Sequence, residues 1–326
     1  MTSEENSVIP FGIHEEVKRW FSPEALLRTN GSGNSITERA GREWLAMDGK
    51  RWRPLLTVLV ARALAPVALD RLVSVAVGVE CFHKASLVHD DIEDADAERY
   101  GHPTVHARYG IPLAINVGDW LIGEGYRLLD ESPFSPEIRS ELARAASRGH
   151  CKLCLGQGNE LQASAAREPL PVDEVLLMYE QKTSSAFEVA VLAGAIVAEA
   201  GPRVREILSE FARLIGIAYQ IQDDCEDFSA TRGRTSDLLS LRPTICLAEA
   251  MADADLRETV LRTCREPTDG NRRALMDAVQ ASGVRDRVMA RLGRTLEELQ
   301  RLTESLPQGR LSVLLKGIAD LAVRRK

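Results

Sequence analysis

The stretch from Leu72 to Asp94, LVSVAVGVECFHKASLVHDDIED, is the part of the sequence that decides the fold class. Its apolar residues recur at helical spacing, and no turn signal interrupts it before the acidic residues at its end. Similar helix-forming runs recur along the chain, whereas alternating Val-, Ile- and Thr-rich runs joined by Asn-Gly or Asp-Gly are absent. The sequence therefore predicts an all-α protein with long helices, some of which are buried on every side.

Length and turn signals predict one domain. The chain has 326 residues, of which 44% are hydrophobic and 27% charged, and this is enough apolar material for a substantial core. Short clusters rich in Gly, Pro and Asp separate roughly ten helices, and none of them is long enough to be a flexible linker. We therefore expect a single domain over residues 1–326, with a motif-bearing core at about 40–250 and C-terminal helices over 251–326.

Charge and cysteine content exclude several classes of function. The net charge is −7, which argues against a nucleic-acid partner and against adhesion to an anionic membrane. Charged residues interrupt the longest apolar stretch, Pro54–His89, so we expect no membrane span. Six cysteines are too sparse for a disulfide scaffold, and we therefore expect a reducing, cytoplasmic compartment.

The first acidic cluster lies at the end of the stretch quoted above. Asp90 and Asp94 are four residues apart, so they share one helix face, which also carries His83 and Leu87. Like charges at this spacing repel each other, and a solvated helix end is the plain interpretation. Because the two acids continue a face that is otherwise directed toward the core, we favour a bound cation instead.

A second acidic cluster, Gln220–Asp227, repeats this arrangement with Asp223 and Asp227. One such pair is weak evidence, but both clusters end an apolar helix, where the partial negative charge of the helix C-terminus disfavours acids further. The economical interpretation is that both clusters face one cavity and share hard divalent cations. Ligand sets made only of oxygen suit Mg²⁺, which usually bridges protein carboxylates to substrate phosphates.

Basic residues close to these motifs point to a phosphate-bearing substrate. Each of them would ordinarily be a solvated surface residue, and their position beside the acidic motifs is what makes them candidates. No Walker loop or GxGxxG turn occurs, so a nucleotide is not the favoured ligand. The candidates are Lys50, Arg53, Arg99, Lys182 with the adjacent Thr183, Arg232, Arg234 and Arg242.

Taken in order, these motifs resemble the trans-isoprenyl diphosphate synthases, the family of farnesyl, geranylgeranyl and longer polyprenyl diphosphate synthases. The resemblance covers Gly49 to Thr244, and its motif style is closest to geranylgeranyl diphosphate synthases. The motifs are GKRWRP, HKASLVHDDIEDADAERYGHPTVHARYGIPLAINVGD, GQGNEL, QKTSSAF and YQIQDDCEDF. The resemblance implies an isoprenoid synthase helical bundle with a central apolar cavity, usually a homodimer. It also implies that an allylic diphosphate condenses with isopentenyl diphosphate to give a longer trans-prenyl diphosphate and pyrophosphate.

The resemblance also implies roles for individual residues of this sequence. The implied catalytic residues are Asp90, Asp94, Asp223 and Lys182. The implied ligands of three substrate-bridged Mg²⁺ ions are Asp90, Asp94, Asp223, Asp224 and Asp227, with Asp91 supporting them. The implied residues for the allylic diphosphate are Arg99, Lys182, Thr183 and Gln220. Those implied for the diphosphate of isopentenyl diphosphate are Lys50, Arg53 and His83, and the tail Arg324–Lys326 is similar to one that closes the site in some relatives.

The sequence departs from the family pattern in three ways. Tyr100 stands where the family usually has a second arginine that would contact isopentenyl diphosphate, and a tyrosine supplies one neutral donor instead of a charged fork. Arg232 and Arg242 replace two lysines expected after the second acidic motif and would still bind substrate. Glu160 replaces an aspartate of the family, which is a mild change.

The length of the product is predicted from the residues that precede the first acidic motif. Short-chain synthases often carry an aromatic floor there, whereas this chain has the small residues Ala85 and Ser86. Small residues open the cavity by about 5.4 Å, one helical turn, so that Phe82 becomes the next floor and a C20 to C25 product is expected. The alternative is that Phe82 packs in the core and other helices set the length.

Two other functions are compatible with the same motifs. Because of Tyr100 and the two arginine replacements, the chain could be a terpene synthase or a prenyltransferase with a different acceptor. A helical regulatory subunit of a synthase is the non-enzyme alternative. Such a subunit would be expected to lose at least one acidic motif, and this chain keeps both.

Overall fold

The computed structural model describes residues 11–31, 33–47, 49–227, 241–306 and 308–323, without the side chains of residues 11, 226, 227 and 321–323. Within these residues lie sixteen α-helices, one π-helical turn at Glu180–Ser184 and one hairpin of strands β1 (Glu98–Arg99) and β2 (His102–Pro103). The first eight helices are α1 (Phe11–Arg19), α2 (Pro23–Thr29), α3 (Ile36–Ala46), α4 (Trp52–Leu64), α5 (Leu69–Glu93), α6 (Val105–Tyr109), α7 (Ile111–Asp130) and α8 (Pro136–Ala166). The others are α9 (Val172–Tyr179), α10 (Ser185–Val197), α11 (Pro202–Asp227), α12 (Ile245–Ala252), α13 (Arg257–Arg265), α14 (Asp269–Gln280), α15 (Val284–Glu304) and α16 (Arg310–Val323).

The predicted all-α fold class is confirmed, while the expected number of helices, roughly ten, was too low. The prediction counted helices between Gly- and Pro-rich clusters. It therefore missed the short helices at the N-terminal end, and it joined helices that are separated by a single residue. Gly110, for example, ends α6 and caps α7 with φ 84°. Such a positive φ suits glycine, which has no Cβ to clash with the backbone.

The chain divides into two compact units, each assembled from separate segments. Unit 1 comprises Met1–His150, Glu188–Ser209 and Gln308–Leu314, and unit 2 comprises Cys151–Phe187, Glu210–Pro307 and Leu315–Lys326. The boundary between the units therefore does not fall at one point of the sequence. The single domain expected from the sequence stays a prediction.

Helix α5 is the central element of unit 1 and packs mainly against α7 and α4. Gly78 permits this close approach, since a Cβ there would lie 3.1 Å from the carbonyl oxygen of Gly125 on α7. In α4, the eight consecutive residues Pro54–Ala61 are buried, which confirms a helix enclosed on every side. Helix α5 is long and apolar enough to cross a membrane, but 61% of its most apolar window is buried inside the protein, as expected of a core helix.

The core of unit 2 gathers helices α9, α11 and α12 with the C-terminal helices α13 to α15. Ile221 of α11, Ile245 of α12, and Val284 and Val288 of α15 are fully buried in it. Ile221 lies two residues before Asp223, so burial of the apolar face of α11 positions the second acidic motif. All six cysteines of the chain are thiols.

Candidate active site

The first acidic motif is divided by the end of helix α5 into residues with different surroundings. Asp94 is the residue at which α5 ends, and its N–H donates to the carbonyl of Asp90. The side chain of Asp90 is 22% exposed, whereas that of Asp91 is only 1% exposed. Asp90 is therefore accessible to a ligand, and Asp91 points into the protein.

Arg99 is anchored to the same helix end. Its Nε donates to Asp91 Oδ1 at 2.5 Å, and its Nη2 lies 3.4 Å from Asp90 Oδ2. Burial raises the pKa of Asp91 to about 6, although the guanidinium of Arg99 opposes this rise. Asp91 thus fixes the position of Arg99, and the supporting role toward a metal site that was expected for it stays a prediction.

The predicted acceptor residues Arg53 and His83 are in direct contact. Arg53 Nη1 lies 3.0 Å from His83 Nε2, and because a guanidinium can only donate, the ring nitrogen accepts. Burial, followed by the charges of Arg53 and Lys84, lowers the pKa of His83 well below its ordinary value. His83 is therefore a neutral ring that orients Arg53, while Lys50 is exposed in the loop before α4.

Arg51 is a buried residue of the same basic run that the sequence analysis did not single out. It begins α4 in a left-handed conformation with φ 51°, and its guanidinium donates to Glu80 Oε1 at 2.7 Å. It also donates to the carbonyls of Leu45 and Met47 and lies over the ring of Phe21. Arg51 therefore fixes the junction between the loop that carries Lys50 and the helix that carries Arg53. The sequence Lys50-Arg51-Trp52-Arg53 contains no signal that shows which of its three basic residues is buried.

In unit 2, the predicted Lys182 and Thr183 lie in the π-helical turn Glu180–Ser184. Two glycines of neighbouring helices permit this turn. A Cβ on Gly156 of α8 would lie 2.6 Å from the backbone nitrogen of Lys182, and a Cβ on Gly216 of α11 would clash with Ser184. Single π-helical turns are often found at functional sites. This turn gives the side chains that follow α9 a different direction from the one they would have in a continuous α-helix.

The side chains of this turn are paired with other predicted residues. Lys182 Nζ forms a 2.8 Å ion pair with Glu160, the residue that departs from the family's aspartate. Thr183 Oγ1 donates to Gln220 Oε1 at 3.0 Å. The structure thus brings together three of the four residues expected to bind the allylic diphosphate, each with a defined orientation.

Asp224 occupies a different environment from the one expected of a metal ligand. It is 4% exposed, and its carboxylate accepts hydrogen bonds from the hydroxyl of Tyr179 and the backbone N–H of Ile245. Its other oxygen lies 3.5 Å from Gln220 Nε2. Burial raises the pKa of Asp224 to about 7, against the effect of these hydrogen bonds. Because both oxygens face protein donors, the structure does not favour Asp224 as a metal ligand but as a support for Gln220.

The remaining predicted residues differ in how far the structure describes them. Asp223 is exposed on α11, and Arg242 is half-buried just before α12. Arg232, Arg234 and Arg324–Lys326 lie outside the described residues, as does the side chain of Asp227.

The half-buried carboxylates of Asp90 and Asp94 and the exposed carboxylate of Asp223 are suitable oxygen ligands for Mg²⁺. Among the described side chains no three acidic, histidine or cysteine residues converge, so an ion here would need further oxygens from a bound ligand. Mg²⁺ typically takes such oxygens from substrate phosphates. The carboxylates of each motif, taken by itself, are therefore of the kind that a substrate-bridged Mg²⁺ ion would need.

The predicted floor residue Phe82 lies between α5 and α7. It is half-buried, and its ring makes an edge contact with Tyr126 at a centroid distance of 4.9 Å. Gly125 leaves room for the ring, since a Cβ there would come within 2.7 Å of it. Ala85 is buried, and Ser86 donates to a carbonyl of its own helix. The floor itself stays a prediction.

Comparisons with known proteins agree with this architecture. Residues 34–281 match the family model described as polyprenyl synthetase. The chain is 31% identical over 285 residues to an all-trans-nonaprenyl-diphosphate synthase of Rhodobacter capsulatus, with 85% of each chain covered. It is 34% identical over 217 residues to the geranylgeranyl diphosphate synthase of Methanosarcina mazei, with 65% of this chain and 66% of that protein covered.

A solved structure shows the same fold. The geranylgeranyl pyrophosphate synthetase from the archaeon Geoglobus acetivorans superposes with a TM-score of 0.83 at 26% identity, covering 96% of this chain and 100% of that one. The family match extends over three quarters of the sequence and includes both acidic helix ends. The chain therefore belongs to the polyprenyl synthetase family, and it is a prenyltransferase.

Proposed function

We propose that this protein condenses an allylic diphosphate with isopentenyl diphosphate to give a longer trans-prenyl diphosphate and pyrophosphate. The observation that carries this proposal is the contact between Arg53 on α4 and His83 on α5, the helix whose end carries Asp90 and Asp94. His83 and Asp90 are seven positions apart, which corresponds to about 10 Å along the helix. An arginine oriented by a neutral histidine, at that distance from the acids proposed to bind Mg²⁺, suits a second diphosphate, which an elongating enzyme needs and a terpene synthase does not.

In this reaction the carbon–oxygen bond of the allylic diphosphate breaks, and the alkene of the acceptor forms the new carbon–carbon bond. The acceptor then loses a proton to the released pyrophosphate. Arg99 and Lys182 would stabilise the charge that develops on the departing pyrophosphate. His83 cannot serve as the base in this arrangement, because the lone pair of its Nε2 accepts from Arg53.

Magnesium dependence is part of the proposal. Asp90, Asp94 and Asp223 would hold the ions, and Mg²⁺ bound there would neutralise charge on the leaving diphosphate. The carboxylates themselves contribute by lying at helix C-termini, where a bound cation also interacts favourably with the helix dipole. The expectation that both acidic motifs serve one ligand stays a prediction.

We further propose a C20 to C25 product, for which the position of Phe82 against α7 is the support. The named relatives include enzymes for several lengths, among them the nonaprenyl and geranylgeranyl synthases above. A homodimer, as the resemblance implies, in the cytoplasm, as the sparse cysteines indicate, completes the proposal. Sedimentation of the purified protein at two concentrations would test the dimer.

Mass spectrometry of products from C5 to C20 allylic primers, each with and without isopentenyl diphosphate, tests the reaction. Elongation of at least one primer to a C20 or C25 diphosphate, dependent on Mg²⁺, is the expected result. Absence of any longer prenyl diphosphate with every primer would reject the proposal.

Tyr100 favours a second candidate, a terpene synthase or a prenyltransferase with another acceptor. In the terpene synthase case, an allylic diphosphate alone yields a hydrocarbon or an alcohol.

A further inference from the structure

Phe21 is a buried aromatic residue between the first two helices, and no role was assigned to it from the sequence. Its backbone N–H donates to the carbonyl of Lys18 at 3.1 Å, in the turn that follows α1. The next residue, Ser22, caps α2 by accepting from the N–H of Ala25. Because the backbone is held on both sides, the ring of Phe21, which is 3% exposed, has a fixed position in the core of unit 1.

The ring of Phe21 covers the guanidinium of Arg51. The centre of the ring lies 4.3 Å from Cζ of Arg51, inside the range of about 6 Å for cation–π attraction. Arg51 is only 5% exposed, and the attraction is stronger in such a site because water competes less for the cation. The N-terminal helices therefore supply the group that occupies the face of this guanidinium.

The edge of the same guanidinium is occupied by oxygen acceptors. Its Nη1 donates to Glu80 Oε1 at 2.7 Å, and its Nη2 donates to the carbonyls of Leu45 and Met47 at 2.8 and 2.6 Å. The two carbonyls lie at the end of α3, where carbonyls lack partners within the helix and a cation interacts favourably with the helix dipole. Arg51 thus connects α3 and α5 to the N-terminal helices.

The carboxylate of Glu80 compensates the charge of Arg51 through one oxygen only. Its Oε2 is buried and has no hydrogen-bond partner among the described residues. A buried ion pair is stable only where further contacts satisfy its groups. Since the ring of Phe21 is such a contact for the cation, its loss should loosen Arg51 more than the loss of an ordinary apolar neighbour would.

Arg51 also has a strained backbone, with φ 51° and ψ 31° directly before α4. A residue with a Cβ is disfavoured in this left-handed conformation, and such strain persists only where the surroundings hold the residue in place. The conformation sets the angle at which the loop of Lys50 enters α4, whose first turn carries Arg53. If the side chain of Arg51 were released, the backbone could relax and the direction of Lys50 relative to Arg53 would change.

We propose that Phe21 is a positioning residue for the binding of isopentenyl diphosphate. Its ring holds the guanidinium of Arg51, and Arg51 in turn holds Lys50 and Arg53 in one mutual orientation. The inference rests on the proposed function and deepens it, because it adds a residue that touches no substrate. It also gives a role in the reaction to α1 and α2, which precede the residues 34–281 that match the family model.

Fluorination of the ring tests the contact with little change of shape, since each fluorine withdraws charge from the face that attracts the cation. Full-length protein with mono-, di- or trifluorinated phenylalanine at position 21 is compared with the wild-type protein. The KM for isopentenyl diphosphate should rise stepwise, to about fivefold in the trifluorinated protein. The KM for the allylic diphosphate should stay within about twofold, because Arg51 does not hold the residues expected to bind it. An acceptor KM that is constant across the series, or equal rises in both KM values, would overturn the inference.

Phe21→Leu keeps an apolar side chain and should raise the acceptor KM by about tenfold, since the whole cation–π contact is lost. Trp20→Leu is the matched control, because Trp20 is also buried and its indole N–H donates to Glu16 of its own helix. The control should lower stability and leave both KM values within about twofold. Equal effects of the two substitutions on the acceptor KM would mean that only the packing of the N-terminal helices matters, which contradicts the inference. If Phe21→Leu does not fold, the fluorinated series decides.

Calorimetric titration with isopentenyl diphosphate and Mg²⁺, without any primer, separates this inference from the proposed reaction. Binding that is about fivefold weaker in the trifluorinated protein supports the role of Phe21 even where no elongated product forms. Elongation and binding that are both independent of fluorination overturn the inference and leave the proposed function in place. Wild-type protein that neither binds nor elongates with isopentenyl diphosphate overturns both.

Discussion

The hydroxyl of Tyr179 donates a hydrogen bond to the carboxylate of Asp224, and the two residues are 45 positions apart in the sequence. Both are at most 4% exposed. The backbone N–H of Ile245, the first residue of α12, approaches the same carboxylate at 2.9 Å. One buried carboxylate therefore links the end of α9, the acidic end of α11 and the start of α12.

Tyr179→Phe should destabilise the protein by about 1–3 kcal/mol, because the buried carboxylate of Asp224 loses a donor. Urea unfolding of the wild-type protein and the variant measures this. Tyr109→Phe is the matched control, since its hydroxyl contacts Glu43 at an exposed site and its removal should cost less than about 0.5 kcal/mol. Equal effects of the two substitutions would contradict the importance of the Tyr179–Asp224 contact.

Stability should fall as the pH rises from weakly acidic to weakly basic values. Burial raises the pKa of Asp224 from 3.8 to about 7, so the folded chain binds this proton more tightly than the unfolded chain. The stabilisation is present while the group is protonated and is lost as the pH rises through the folded pKa. Unfolding free energies at about pH 5 and about pH 8, with EDTA present, should differ more in the wild-type protein than in Asp224→Asn. An identical pH dependence in both would count against this assignment.

Gly156→Ala should disturb the π-helical turn and lower activity strongly. The new methyl group would lie 2.6 Å from the backbone nitrogen of Lys182, and backbone cannot move aside as a flexible side chain can. Overpacking of this kind costs about 1–3 kcal/mol and displaces Lys182 from Glu160. Gly158→Ala, on the same helix with nothing within 4 Å, is the control and should be neutral or slightly stabilising. Comparable loss of activity in both would show that helix α8 is sensitive for another reason.

Glu80→Gln should destabilise unit 1 by about 3–5 kcal/mol, because it leaves the buried guanidinium of Arg51 without its counter-charge. Differential scanning calorimetry and the KM for isopentenyl diphosphate together measure the effect, since Arg51 also fixes the loop of Lys50. Glu43→Gln removes an exposed partner of Arg108 and serves as the control, with an expected cost below about 1 kcal/mol. A mild effect at Glu80 would mean that the carbonyls of Leu45 and Met47 suffice to hold Arg51.

Asp90→Asn should reduce the rate of elongation by at least about 100-fold and weaken its response to Mg²⁺, since an amide is a poor ligand for a hard cation. The rate as a function of Mg²⁺ concentration is the measurement. Asp173→Asn, at an exposed position near the start of α9, provides the control. A variant at Asp90 with normal Mg²⁺ dependence would remove this residue from the proposed metal ligands.

Local sequence pattern was sufficient for the fold class and for the position of the motifs. Helical periodicity is a property of neighbouring residues, so the apolar run before Asp90 and the one before Asp223 could be recognised without knowing what they pack against. The acidic residues at both helix ends and the basic residues near them were found in the same way. The type I′ hairpin at Tyr100 was not, because its turn lacks the usual Asn-Gly signal.

What only the tertiary structure decided is which member of each motif faces a ligand and which faces the protein. Asp90 and Asp91 are the same residue type in adjacent positions, yet one is accessible and the other is buried against Arg99. Likewise, the burial of Arg51, Lys84 and Asp224 depends on partners that lie far away in the sequence. Periodicity specifies the face of a helix, but the free energy of a buried charge depends on the groups that surround it, and these are brought together only by folding.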